Sequence, residues 1–286
     1  MNLADLAGLA ARQLPRSQGH ASQYARPLSN LAIFRQHRPS SFEAAIYEPV
    51  LSLVLQGRKE MVLGADSFPM EVGECLLISH DLPVTARVTK TPYLALLFDV
   101  ELGMLRELYD AMADSPPPAQ ARSLSVHACD VQLVDALHRY LALAGAPRDA
   151  AVLGPLVSRE IHYRLATAPF GGMLRDLIRH DSYASAVARA IGQLRRDFRS
   201  PVEVPALARS VGMSASSFHK HFKAITASSP LQYRKGLQLL EARRLLRAGT
   251  RSVSAAAFDV GYESAAQFSR DYARKFGASP KHDLPA

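Results

Sequence analysis

The 286-residue chain has little cysteine: Cys75 and Cys129 lie far apart, outside any Cys-x-x-Cys spacing. That argues against a disulfide framework and for unpaired thiols in a reducing compartment. It lacks a basic N-terminal segment leading into an apolar run, and no window approaches the roughly 18 uninterrupted apolar residues of a membrane span. No membrane partner is expected, and the expected location is the cytoplasm. Gly-x-Gly-x-x-Gly, Gly-x-x-x-x-Gly-Lys-Ser/Thr and Gly-x-Ser-x-Gly are also missing; "GADSF" and "GMSAS" are near misses without a strand-to-helix elbow. Catalysis therefore has no residue to rest on, and neither an enzyme nor a cofactor is expected. What is present, 48% hydrophobic and 21% charged residues, is ordinary globular composition, enough for one large or two ordinary domains.

Charge is unevenly placed. Residues 186–286 carry 17 Lys+Arg against 7 Asp+Glu, whereas residues 1–185 are slightly acidic, within a total of +8. A basic excess of that size on about 100 residues suits binding to a phosphate backbone, because neutralised phosphates release counterions.

Texture divides the chain in the same sense. Residues 3–14 can form a short helix, and the next fifteen or so, with Pro15, Gly19 and Pro27, read as irregular. From Leu31 to about 100, short apolar or alternating runs such as "LAIFRQH", "KEMVLG" and "YLALLFDV" are separated by Gly57, Gly64, Gly73, Pro83 and Pro92. Many short strands at that spacing predict a barrel or double-sheet jelly roll. After a loop at Asp114–Gln120 the period becomes helical over 130–144 and 152–167, "PFGGM" reads as a joint, and nearly everything beyond about Leu174 is helix and turn. The expected organisation is an α+β two-domain chain: 1–168 as a barrel with connecting helices, 169–182 as a linker, and 183–286 as an all-helical unit. The helices at 130–144 and 152–167 serve either as a dimer surface or as packing on the barrel.

Within the helical unit a motif occurs twice. "VPALARSVGMSASSFHKHFKAITASSP" (204–230) aligns with "VSAAAFDVGYESAAQFSRDYARKFGASP" (253–280), pairing Gly212 with Gly261, Phe218 with Phe268, Phe222 with Tyr272 and Pro230 with Pro280. Each copy reads as helix, glycine turn, serine cap, helix, with Ser264 and Gln267 placed for a capping box. Two helix-turn-helices result. In the first, Phe218 and Phe222 face Leu207 and Val211, leaving Ser216, His219, Lys220 and Lys223 on an outer stripe. In the second, Phe268 and Tyr272 pack inward while Gln267, Arg270 and Arg274, with Ser269 beside them, face out. Arg and Lys suit guanine edges and Gln suits adenine, so these eight residues are the expected contacts to double-stranded DNA. The 18 residues between the copies, 231–248, predict a rigid helix roughly 27 Å long, able to hold two readers about one DNA turn apart.

These two motifs and their joining helix resemble the AraC/XylS transcriptional regulators over residues 183–282. "EPVLSLVLQGRKEMV", "GECLLISHDLPV", "PYLALLFDV" and "GPLVSREIHYRL" are similar to the AraC-type subgroup whose first domain is a cupin-like barrel. The resemblance places Ser216, His219, Lys220, Gln267, Ser269 and Arg270 at base edges, and implies promoter DNA and RNA polymerase as partners. A small-molecule effector sensed by the barrel and a homodimer are expected with them. Two departures stand out: Gln238 replaces the linker helix's usual Arg, and "SPKHDLPA" lacks Tyr-Arg after the final Pro. A cupin also invites a metal, but the barrel half has no His-x-His, only His20, His37 and His80 widely separated, so no metal site is expected. Tyr47, Arg58, His80 and Arg87 are the candidate effector contacts, and Arg58-Lys59 with Arg87 would suit an anion. Two other readings differ in class. One is a constitutive DNA-binding protein whose barrel only dimerises; the other is a metal-dependent cupin enzyme fused to a DNA-binding module.

Overall fold

The computed structural model describes residues 2–15, 21–109 and 123–283. His20 and the loop read at Asp114–Gln120 lie outside the described residues. Helix α1 (Leu3–Gln13), closed by an Asn2–Asp5 capping box, precedes β1 (Ser22–Leu28), β2 (Leu31–Gln36), β3 (Glu43–Tyr47), β4 (Val50–Leu63), β5 (Asp66–Met70), β6 (Glu74–Ile78) and β7 (Leu82–Asp99). Then come α2 (Leu102–Glu107) and β8 (Leu124–Ala128). β1 falls within the stretch expected to be irregular. Pro27 is tolerated there because β1 is an edge strand and its register to β2 shifts between Ala25 and Leu28.

All eight strands are antiparallel in one sheet, ordered β1-β2-β7-β4-β6-β8, with β3 added to β7 and β5 to β4. The long pair β4 and β7 carries the architecture. Its first section, near Val50–Val54 and Ala95–Asp99, is flanked by β2 and β6; its second, near Lys59–Leu63 and Leu82–Ala86, is flanked by β3 and β5. Register shifts between Val54 and Lys59 bend the pair where the two sections meet. Gly57 sits in this bend at φ 77°, and a Cβ there would collide with the carbonyl oxygens of Lys90 and Pro92. Residues of both sections, among them Val50, Val54, Met61, Met70, Val84, Val88 and Tyr93, meet in one buried cluster, so the sheet curls around its own interior.

The outer face is covered by helices. α3 (Val131–Ala142), α4 (Pro147–Thr167) and α5 (Gly172–Ile178) join α1 in packing Leu6, Leu137, Ile161, Leu165 and Leu174 onto Leu31, Leu51, Leu53, Leu96 and Phe98. Each such side chain fully buried contributes about 1.5–3 kcal/mol. α5 lies inside the stretch expected as a linker. Its Met173, Leu174 and Ile178 belong to the outer-face core, so burial rather than chain flexibility fixes that segment. The inner sides of α3 and α4 pack on the barrel, while Val152, Leu153 and Leu156 of α4 stay exposed.

The remainder is helical: α6 (Tyr183–Arg196), α7 (Val204–Ser210), α8 (Ala215–Thr226), α9 (Pro230–Arg247), α10 (Val253–Asp259) and α11 (Ala265–Phe276). It holds two cores. Val187, Ile191, Leu207, Phe218, Phe222, Tyr233 and Leu237 form the first; Leu239, Ala242, Leu246, Ala256, Phe268 and Tyr272 form the second. α9 contributes to both and supplies the expected spacer, started by Pro230 at its first turn and a Ser229–Gln232 capping box.

Both departures from the family pattern acquire partners. Gln238 is buried and donates to the Val260 carbonyl at 2.8 Å, tying α9 to the end of α10. Beyond Pro280, Asp283 accepts from Arg243 (2.6 and 3.1 Å), Arg247 (3.1 Å) and the Tyr272 hydroxyl (2.7 Å). Burial alone would raise the Asp283 carboxyl, but these donors hold it at about 2. Asp283→Asn is expected to cost about 1–3 kcal/mol at pH 7, read as a lower melting midpoint. Because the folded value lies below the unfolded one of about 3.9, the contribution is present above that pH and lost as pH falls through about 2. A wild-type-to-variant gap that stayed constant down to that pH would assign the loss to packing instead.

Candidate nucleic-acid interface

The two motifs fold alike for the same local reasons. α7 and α8 are joined through Gly212 (φ 78°), and α10 and α11 through Gly261 (φ 86°). At Gly261 the Arg199 carbonyl also comes too close for any Cβ, so both conformation and space demand glycine. Ser214 accepts the Ser217 amide and Ser264 the Gln267 amide, both at 3.3 Å, capping the second helix of each pair. The full capping box expected at Ser264–Gln267 is present only in this forward half among the described hydrogen bonds; Gln267 projects outward instead. Phe218 and Phe222, and likewise Phe268 and Tyr272, are fully buried with ring centroids 5.3 and 5.5 Å apart.

That packing fixes which side chains remain outside. Ser216, His219, Lys220 and Lys223 on α8 are exposed, as are Gln267, Arg270 and Arg274 on α11. Lys220, Lys223 and Arg270 make no ion pair among the described residues, so three cations stand free of intramolecular neutralisation. Arg274 differs: it pairs with Asp271, which also receives Lys235 at 2.8 Å. Ser269 differs too, being half-buried with its hydroxyl donated to the Ala265 carbonyl at 2.9 Å. His221 stacks on Tyr183 of α6 at 3.7 Å between ring centroids, pointing away from the stripe that holds His219. The arrangement offers two capped helices with cationic and amide side chains outward, which is the chemistry that base edges and phosphates accept.

The expected effector contacts do not converge. Arg58 and Arg87 lie on the outer surface, paired with Glu71 at 2.5 Å and Glu60 at 2.7 Å, and Arg87 also covers Phe42. Tyr47 faces the barrel interior, where its hydroxyl meets Lys59 Nζ at 2.9 Å. His80 is buried at the junction between barrel and helical unit, its Nδ1 against the Ser79 hydroxyl (2.8 Å) and its Nε2 against the Ala184 carbonyl of α6 (3.1 Å). Burial pushes that imidazole down to about 4, so it is neutral at physiological pH. Among the described residues no cluster of three His, Cys, Asp or Glu side chains could hold a metal.

The junction itself was not legible in the sequence. Arg195 of α6 reaches Asp81 (2.5 Å) and Glu48 (2.7 Å) on two barrel turns, the Tyr233 hydroxyl of α9 donates to the Asp81 carbonyl (2.8 Å), and Ser123 donates to the Ile225 carbonyl at the end of α8. Burial raises the Asp81 carboxyl, opposed by the Arg195 guanidinium. Among the described residues the barrel makes no hydrogen bond or ion pair with α10 or α11, so its polar grip falls on the first motif alone.

The profile described as AraC-type transcriptional regulator N-terminus matches residues 27–173, about half of the chain, and a helix-turn-helix domain profile matches 207–284. Among curated relatives, the HTH-type transcriptional regulator CdhR of Pseudomonas aeruginosa is 31% identical over 133 residues, 46% of this chain and 37% of that protein. The HTH-type transcriptional activator RhaS of Escherichia fergusonii is 34% identical over 91 residues, 32% of this chain and 33% of that one. The chain thus spans only about a third of the length of these relatives. Among solved structures, an apo point variant of ToxT from Vibrio cholerae superposes with a TM-score of 0.57 at 7% identity, covering 93% of this chain and 98% of that one, a likeness of fold. ToxT bound to (E)-4-(8-methylnaphthalen-1-yl)but-3-enoic acid gives 0.56 at 9%, covering 92% and 98%. A curled antiparallel sheet followed by tandem helix-turn-helices defines a two-domain DNA-binding transcriptional regulator. The chain belongs to the AraC-type transcriptional regulators.

Exchanging Lys220 and Arg270 for alanine is expected to lower affinity for a selected DNA site by about 1–3 kcal/mol per residue. Affinity for scrambled DNA should fall much less. Fluorescence anisotropy on both duplexes checks this, and equal losses on the two would show that these side chains hold phosphates and do not read bases.

Proposed function

We propose that the chain is an effector-responsive promoter-binding regulator in which a small molecule in the barrel alters how firmly the barrel holds the first helix-turn-helix. The observation that carries this is the junction just described: among the described residues the barrel's polar contacts are confined to α6, the end of α8 and the first half of α9. A ligand shifts such an arrangement only by binding its two states unequally. That ToxT, of similar fold, is described in complex with an unsaturated fatty acid and with a naphthalene-bearing acid supports a ligand site in this architecture. In this reading Ser216, His219, Lys220, Lys223, Gln267 and Arg270 contact DNA, with Arg274 and Ser269 flanking. The exposed apolar residues Val152, Leu153 and Leu156 of α4 support a second copy as partner. RNA polymerase as a partner and 1–168 and 183–286 as functional units belong to the same proposal.

The test is a variant that loosens the junction. Glu48→Gln with Asp81→Asn removes both acidic partners of Arg195. Release of the first motif is expected to raise promoter affinity at least about fivefold. The salt slope, which counts neutralised phosphates, should stay within about one unit of wild type. Unchanged affinity would favour the constitutive reading, in which the barrel only dimerises.

A further inference from the structure

The bend of the sheet holds a lysine among apolar side chains. Lys59 follows Gly57 on β4 and shares its face with Met61 and Leu63, so its side chain enters the apolar interior; only 8% of it is exposed. No carboxylate lies within ion-pair distance of it among the described residues, and its one hydrogen-bonding partner is the Tyr47 hydroxyl at 2.9 Å, with the ammonium 5.1 Å from that ring's centre. Glu43, the carboxylate that acts on it from farther away, is exposed on β3. Burial, the largest influence, opposes the ammonium, while Tyr47, Tyr93 and Glu43 act to raise its proton affinity above the ordinary lysine value. Around it the polar complement is incomplete. The Ser52 and Tyr93 hydroxyls are both buried on the same inner face, near one another, yet neither completes a hydrogen bond of standard geometry.

A buried lysine whose one hydrogen-bonding partner among the described residues is a phenol, with two buried hydroxyls of incomplete hydrogen bonding on the same face, has polar capacity left for a further group. Tyr47 also lines a groove of about 350 Å³ together with Ile46, Glu48, Pro49, Val50 and Leu97, where Arg26 and Asp99 pair. That volume suits a small ligand. Tyr47 is common to both: it lines the groove, and its hydroxyl accepts from Lys59.

We infer that Lys59 anchors the effector, and that the effector is a small organic acid whose carboxylate takes the place of the Tyr47 hydroxyl on Lys59 while its apolar or aromatic body fills the adjoining groove. Ser52 and Tyr93 then donate to the same carboxylate. The inference rests on the effector-responsive reading and adds the ligand class and the route to DNA. β3 is that route. Its Tyr47 faces Lys59, its Ile46 packs against the core of the first helix-turn-helix, and the next residue, Glu48, holds Arg195. Moving Tyr47 off Lys59 therefore moves the strand that touches α6 and α9.

The experiment uses the full chain, with straight-chain carboxylates of eight to twelve carbons and naphthalene- and phenyl-substituted acids as probes, each beside its uncharged amide. At about a hundredfold excess over Kd, at least one acid is expected to raise the melting midpoint by roughly 5 °C or more, and its amide to do little. Lys59→Met should still melt in one cooperative transition and should lose the acid response; Lys59→Arg should keep part of it. If no acid in either series shifts wild type, if acid and amide act alike, or if Lys59→Met retains the response, the inference fails. If Lys59→Met fails to fold, Lys59→Arg decides: a folded Lys59→Arg with no acid response at all overturns the inference equally. DNA affinity measured in parallel separates the two levels. Lys59-dependent binding of an acid without any change in DNA affinity would leave the site standing and refute the switch.

Discussion

Helix α9 is the constraint on which the DNA-binding half depends. Its 18 residues are walls of two separate cores: Tyr233 and Leu237 close the first, and Leu239, Ala242 and Leu246 close the second. A helix buried on one stripe would leave its other face polar; this one buries Pro230, Gly236, Gln238 and Ala242 as well, so apolar contacts run around it. Each helix-turn-helix is too small to build an independent core, and α9 lets them share one element. Its polar side chains follow the same logic. Gln238 fastens α10, Lys235 reaches Asp271 of α11, and Arg243 and Arg247 hold Asp283. An Arg at 238 would place a guanidinium against the Val260 carbonyl in a site that is 4% exposed; the shorter amide reaches the same oxygen without a buried charge.

The sheet solves a different problem with the same economy. One face is closed by α1, α3, α4 and α5, which leaves the curled inner face to be filled by side chains alone. Period-2 alternation alone would give each half of β4 one inward set, but the register shifts between Val54 and Lys59 reset which residues point inward. Val50, Ser52 and Val54 face the interior before the shifts, and Lys59, Met61 and Leu63 after them. Lys59 is interior because of that reset, in a stretch whose neighbours Arg58 and Glu60 both form surface ion pairs.

How far the sequence shows all this depends on whether the signal is local. The doubled glycine turn, the serine caps and the paired aromatics are local, and they locate both reading helices closely. The strands were visible as alternating runs, except β1, where Pro27 reads as a breaker but is harmless on an edge. The expected linker hides α5 because its burial depends on a surface contributed by distant helices. Among the candidate effector contacts, Arg58 and Arg87 have charge of the right kind, but a count of charges cannot show that Glu71 and Glu60 already answer them. His80 could not be placed for a similar reason, since its partner Ala184 is 104 residues away. A trace of Lys59 is readable in Lys59-x-Met61-x-Leu63, a lysine in phase with apolar residues, yet only the bend shows that this phase is the inner one.

The coupling between the halves follows from strand geometry more than from any hinge. Successive residues of a strand point to opposite faces, so a five-residue strand that lies between two cores necessarily touches both. β3 is such a strand: Ile46 is packed on the helical core, Tyr47 on the barrel core, and Glu48 ends it in an ion pair to α6. Tyr47 is tied at both ends, its hydroxyl bound to Lys59 and its backbone paired to Leu82 of β7. Leu82 is itself next to Asp81, which holds both Arg195 and the Tyr233 hydroxyl. In the proposed switch this ladder is the route from Lys59 to both helices that frame the first motif. The energy available for such transmission is the difference in ligand affinity between the two arrangements, typically about 1–3 kcal/mol. That is comparable to one or two of the charge-assisted bonds at the junction, which is the scale needed for a small acid to tip their balance.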